Sequence, residues 1–406
     1  MDETASQAAV ARPPQIAQAG ELRDTRVEAL RALAAIGVVA AHAWGFAGGN
    51  FFGSFSGRLL AGIGFGALFF FALSSCLLYM PFARRDFGRG GPIGLRQYAI
   101  NRAVRIFPLY YVVLVVVLIV FEGGGSFDQW WRYALFWENF SAHTINTVNG
   151  SVWTIVVELH FYLLLPPLAL GLGRLTRGSL AKAAVLLGAL GLLSIAVREY
   201  SFAKPDELLL LRYSLPSTFY LVAAGMMLAL VRVAWEDGRP AWVRGPLARA
   251  ELWIAVAGVL WLGSVYDYRL EPLLGPASFL LLGACMLPLE FGPALRILDL
   301  KLLGVLGIAS YSIYLWHVPV LELLTDERRG PLTGHYLWLI ALSVVATCLV
   351  ALASYRLIEA PALKLRKRWG STGTQPPATA GRIVTSSPSS TDVSSPSRKR
   401  MSSPPT

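Results

Sequence analysis

Charge is scarce in this chain: 15% of its 406 residues are charged, against 55% that are hydrophobic. That balance leaves too little polar surface for an ordinary soluble domain. Cysteine is nearly missing as well. Cys76, Cys285 and Cys348 all lie inside apolar runs, without the paired spacing of a disulfide framework or a zinc motif. No arrangement of His, Cys and acidic residues suggests a metal. Alternation of apolar and polar residues is absent from the long runs, which excludes a membrane β-barrel. There is no internal repeat, parallel or inverted, of the kind many secondary transporters carry. The first twenty or so residues lack the apolar core of a cleavable signal peptide, so the first helix is expected to serve as its own uncleaved signal.

What the chain does have is a series of continuous apolar runs of about 20 residues, the length that crosses a bilayer as a helix, and a mean hydropathy of +0.52. The expected fold is all-α and polytopic, with about ten transmembrane helices. They fall near 29–47, 59–80, 105–121, 151–170, 181–197, 214–232, 252–266, 272–290, 302–323 and 337–357. A net charge of +11 would suggest nucleic acid in a soluble protein. Here the basic residues gather in short loops between apolar runs, so no nucleic acid is expected. With the N-terminus inside, the cytoplasmic loops hold about three times as many Lys and Arg as the outer ones. Both termini are therefore expected in the cytoplasm, and the protein in the plasma membrane. Three regions follow: a flexible lead over 1–25, a membrane domain over 26–369 and a disordered Ser/Thr/Pro-rich tail over 370–406. The aromatic outer loop near DQWWRYALFWENF is expected to lie at the membrane interface.

Ionisable groups inside apolar helices are costly and mark function first. Arg31 and His42 bracket RALAAIGVVAAH on the first helix, a rise of roughly 16 Å. His42, Glu158 and His317 all come out about 10 Å below the outer boundary, on three different helices. At one depth they can line a single polar cavity. A carboxylate that orients an imidazole lets it take a proton from a hydroxyl. The alternative is a buried histidine bonded to a helix carbonyl, an open choice for His317 in particular. Ser74 fits helix packing better than nucleophilic attack. Arg102 and Arg105 share one helix face. With Arg31 they suit a multiply phosphorylated ligand arriving from the cytoplasm, or equally the anchoring of anionic headgroups.

Taken together these segments resemble the membrane-bound acyltransferase 3 family, integral membrane O-acyltransferases that modify carbohydrates. The likeness rests on VEALRALAAIGVVAAHAWGF with its Arg31-x10-His42 spacing, FFFALSSCLLY, NRAVRIFPLYY, SVWTIVVELHFYLLLP, SYSIYLWHVPV and YRLIEAP, in family order over roughly 26–365. The resemblance implies acyl-CoA, in the first instance acetyl-CoA, as co-substrate with no permanently bound cofactor. It also implies an acceptor hydroxyl on a carbohydrate. Catalytic importance falls on His42 with Glu158, donor binding on Arg31, Arg102 and Arg105, and supporting or acceptor-site roles on Trp153, Ser74, Tyr311 and His317. On this reading His42 is a general base oriented by Glu158, or an acyl carrier. The sequence departs from the pattern at Ser75, where the family usually has glycine, so the pocket near Ser74 is expected to be narrower. No hydrolase-like domain is expected after the last helix. A proton-coupled transporter or flippase, with His42 and Glu158 as a relay, is the competing class.

Overall fold

The computed structural model describes residues 14–204, 207–325 and 335–369. The tail expected over 370–406 lies outside them. Among the described residues there is no strand beyond an isolated bridge between Arg249 and Glu290. The helices run in chain order as α1 Pro14–Phe46, α2 Phe55–Gly64, α3 Gly66–Asp86, α4 Leu95–Val120, α5 Phe127–Ala134, α6 Trp153–Thr176, α7 Leu180–Ala203 and α8 Leu209–Arg212. They continue as α9 Leu215–Ala234, α10 Ala250–Tyr266, α11 Leu274–Met286, α12 Lys301–Ile308, α13 Ser310–Thr325, α14 Tyr336–Ser354 and α15 Ala360–Trp369. Helix α1 begins inside the segment expected to be a flexible lead.

Seven of the described spans are long and apolar enough to cross a membrane, eight if the bent pair α12–α13 counts as one. This is a multi-pass helical architecture, with fewer full-length spans than the ten expected. The apolar run at 252–266 forms only the 17-residue α10, and that at 272–290 only the 13-residue α11. The run at 302–323 is not one helix: α12 and α13 meet at a 73° bend. Helix α14 passes into a π-helical turn, Tyr355–Glu359, before α15. Such turns rotate the residues that follow and recur at functional sites.

Helix α9 is the central pillar, packed against α3, α7 and α11. The span that contains it is 78% buried, against 22% for α7 on the periphery. Helix α1 is the second axis, touching α2, α3, α12, α13 and α14. Its contact with α12 depends on Gly307, where a Cβ would fall 1.9 Å from the Glu28 carbonyl oxygen. That approach brings the bent α12–α13 pair flat against the segment carrying Arg31 and His42.

Candidate active site

The two intramembrane histidines meet. The rings of His42 on α1 and His317 on α13 lie 4.8 Å apart between centroids, edge to face at 62°. His42 Nδ1 is 2.9 Å from the Val38 carbonyl oxygen, and His317 Nδ1 is 2.6 Å from that of Tyr314. A carbonyl only accepts, so both Nδ1 atoms carry a proton, and each ring in its neutral form presents its lone pair at Nε2. The Nε2 of His317 is fully buried and has no hydrogen-bond partner among the described residues. His42 is half-buried and opens on a cleft of about 560 Å³ between α1 and α2. An imidazole with a pinned tautomer and a bare Nε2 at an open cleft is a competent base or nucleophile.

Glu158 does not orient His42 by a direct hydrogen bond, contrary to the expectation from depth alone. Its Oε1 accepts from the Ser74 hydroxyl on α3 and from the Tyr162 hydroxyl one turn along α6, each at 2.5 Å. Equal depth says nothing of azimuth: α6 turns Glu158 toward α3, while helix α1 supplies His42's orienting acceptor from its own backbone. Ser74 thus uses its hydroxyl to hold the carboxylate. Trp153 opens α6 and packs edge-on against Tyr213 at 4.9 Å and Phe71 at 6.4 Å. Its carbonyl accepts from Asn139 at 3.0 Å.

The arginines form a second cluster, threaded with carboxylates. Arg31 donates to Glu28 at 3.1 Å and Arg105 to Glu359 at 2.9 Å. Glu359 is held in the π-helical turn and also accepts from Ser312 on α13. Arg102 makes no ion pair or hydrogen bond among the described residues and lies 5.7 Å from the centre of the Tyr162 ring. Arg105 stands at the same distance from the Tyr311 ring, whose hydroxyl donates to the Ile106 carbonyl at 2.9 Å. Arg31 lies within electrostatic reach of Glu28, Arg105, Glu158 and Glu359. The Nε atoms of Arg31 and Arg102 and one oxygen of Glu28 are buried without partners. Unsatisfied guanidinium donors beside a balanced set of charges suit an incoming polyanion that shares its oxygens among them.

Helix α13 joins the two clusters. Tyr311 and Ser312 face the arginines, Tyr314 bonds to Thr154 and Ser151 of the α6 entry at 2.7 Å, and His317 reaches His42. Asn149 fixes the register further by donating to the Leu315 carbonyl at 3.2 Å. Glu28, Glu359, Ser312 and Tyr162 were not singled out from the sequence. The rule that flagged Glu158, an acidic residue within or beside an apolar helix, flags Glu28 and Glu359 equally.

An acyl-transfer reading of this site agrees with comparison to known proteins. The chain belongs to the acyltransferase 3 family, whose acyltransferase domain matches residues 24–356. It is 27% identical over 364 residues to the peptidoglycan O-acetyltransferase OatA of Listeria monocytogenes, covering 83% of this chain and 55% of that protein. A putative peptidoglycan O-acetyltransferase of Bacillus subtilis, YrhL, is 25% identical over 366 residues, covering 82% and 54%. The chain thus spans about half the length of these two relatives. The exopolysaccharide production protein ExoZ of Rhizobium meliloti is 28% identical over 306 residues, covering 73% of this chain and 88% of its own length. No solved structure matches.

Proposed function

We propose that this protein is an integral membrane O-acyltransferase that moves an acyl group from acyl-CoA to a hydroxyl of a cell-surface carbohydrate. The observation that carries the reading is the pairing of a His42 Nε2 at an open cleft with a cluster of three arginines, two of which, Arg31 and Arg102, hold unsatisfied donors. Family membership favours it over the transporter class. Arg31, Arg102 and Arg105 bind the CoA phosphates, and the thioester reaches toward His42. His42 Nε2 takes the acceptor hydroxyl proton as the oxygen attacks the thioester carbon. The C–O ester bond forms, the C–S bond breaks, and the proton passes from Nε2 to the leaving sulfur. Transfer through an acyl-His42 intermediate balances equally well. Glu158 holds Ser74 and Tyr162, and through Tyr162 the wall beside Arg102. The names of OatA and ExoZ support a glycan acceptor.

In the membrane, α10 and α11 serve as two short spans. This restores ten crossings with both termini in the cytoplasm, the arrangement favoured by the basic loops. The plasma membrane is the compartment that suits a surface glycan acceptor.

The test is CoA release by purified protein in nanodiscs, supplied with acyl-CoA and a glycan extract. His42→Ala should lower acceptor-dependent release by about 10²–10⁴-fold, the range for a general base, at unchanged protein yield. Undiminished release would remove His42 from the chemistry.

A further inference from the structure

The cleft beside His42 has a composition at odds with a sugar. Besides His42, its walls are Ala41, Gly45 and Phe46 from α1, Phe51 from the following segment, Ala61 and Gly64 from α2, and Phe65 at the α2–α3 junction. His42 contributes the polar side chain. A carbohydrate placed there would leave most of its hydroxyls without partners, since the surrounding helix amides and carbonyls are largely engaged in their own ladders. An alkyl chain has no such requirement. The volume, about 560 Å³, lies within the usual range of small-molecule sites. Taking roughly 30 Å³ per carbon, close to the share of one water molecule in the liquid, an acetyl group leaves nearly all of the cleft unfilled. An eight-carbon chain occupies a little under half of it, in keeping with an open cleft.

We infer that this cleft is the acyl-chain pocket, and that the preferred donor is an acyl-CoA with a chain of about six carbons or more rather than acetyl-CoA. The inference rests on the acyl-CoA reading above and adds the class of acyl group. The thioester carbonyl sits at the His42 end, with the chain running outward between α1 and α2 over Ala61 toward Phe51. The acceptor hydroxyl then approaches His42 Nε2 from outside the cleft. Chemistry is unchanged: the acyl C–S bond breaks, the ester C–O bond forms, and the hydroxyl proton leaves with the CoA sulfur through His42. Discrimination comes from burial, worth about fourfold for each methylene removed from water.

The experiment compares kcat/KM for acetyl-, hexanoyl- and octanoyl-CoA on the full chain in nanodiscs with one glycan extract. Wild type should favour octanoyl over acetyl by about tenfold or more, a conservative share of the burial effect. Ala61→Phe, which fills the middle of the cleft, should lower the octanoyl-to-acetyl ratio by about tenfold. Should that variant fail to fold, Phe51→Ala lengthens the pocket and should raise the ratio instead. Transfer of acetyl but not octanoyl by wild type overturns the pocket and leaves the O-acyltransferase intact. So do ratios that neither variant moves, which would assign the cleft to lipid or acceptor. Release from none of the three donors overturns both readings together.

Discussion

Burying Arg105 against Glu359 takes two charges out of water at once, and the pair returns that cost only while both partners are present. Glu359 is 3% exposed, so its removal leaves the Arg105 guanidinium without its partner and within electrostatic reach of Arg31. Glu359→Gln should cost about 3 kcal/mol, the low end for breaking a buried pair because Arg105 retains some solvent contact. Thermal unfolding in detergent would register it as a lowered midpoint. If CoA phosphates bind this cluster, added CoA should raise the variant's midpoint more than that of wild type, since the ligand replaces the missing anion. Equal shifts would mean that the donor does not meet Arg105. A second carboxylate acts outside the spans. Glu138, in the outer loop, is 1% exposed and neither oxygen has a partner among the described residues. Burial pushes its carboxyl up to about 8. A raised carboxyl means the folded loop holds a proton that the unfolded chain has released. Stability is therefore greatest below the ordinary carboxylate range and falls as pH rises through about 8. Glu138→Gln should raise the unfolding midpoint relative to wild type at pH 9 and leave it nearly unchanged at pH 4. A difference that does not grow with pH would show that the carboxyl is not held protonated.

At the level of elements, the close packing of α3 on α9 answers the departure seen in the sequence at Ser75. Ser75 is fully buried and donates back to the Ala72 carbonyl at 3.0 Å. The space it needs comes from the facing helix. A Cβ at Gly225 would fall 2.0 Å from the Ala72 oxygen and 2.1 Å from the Ser75 hydroxyl. The close approach usually served by a glycine on this segment is thus supplied from α9. Gly225→Ala should destabilise by about 1–3 kcal/mol, the cost of overpacking, or more where the backbone of the central helix cannot yield. It is read as loss of monodisperse protein on size exclusion. Full retention would mean α3 and α9 can separate without penalty. The same region shows what a linear reading captures. Apolar runs foretold a helix in every expected segment, because length and hydropathy alone decide whether a run becomes helical in lipid. They did not foretell the bend at Ala309, beside the close approach of Gly307 to α1, or the π-helical turn at Tyr355–Glu359, which carries the buried Glu359. Rise per residue brought His42 and His317 to one level correctly. It carried no rotation about the helix axis, so Glu158 was assigned to His42 when it faces Ser74 and Tyr162.

For the molecule as a whole, orientation in the bilayer decides which cluster meets which compartment. Arg31, in the middle of α1, and Arg102 and Arg105, in the first half of α4, form one cluster. His42 lies roughly 16 Å further along α1, with the aromatic loop 122–150 beyond it. A CoA donor exists in the cytoplasm and a surface glycan outside, so the transfer reading requires the arginine end to face in. Arg84 and Arg89 at the foot of α3 pair with Glu236 and Asp237 just after α9. Both connections must therefore share one side. In a cysteine-free background, single cysteines at Arg96 and Arg239 should resist a membrane-impermeant maleimide in intact cells and react after permeabilisation. A cysteine at Phe127, 84% exposed, should react in intact cells. Replacing Cys76 and Cys285 removes buried thiols, so the background must first retain CoA release. A reversed labelling pattern would place the arginines outside, away from any CoA pool, and the donor assignment would fall with the orientation. Reaction of Arg96 and Arg239 positions on opposite sides would instead break the pairing of α3 with α9 on which the bundle is built.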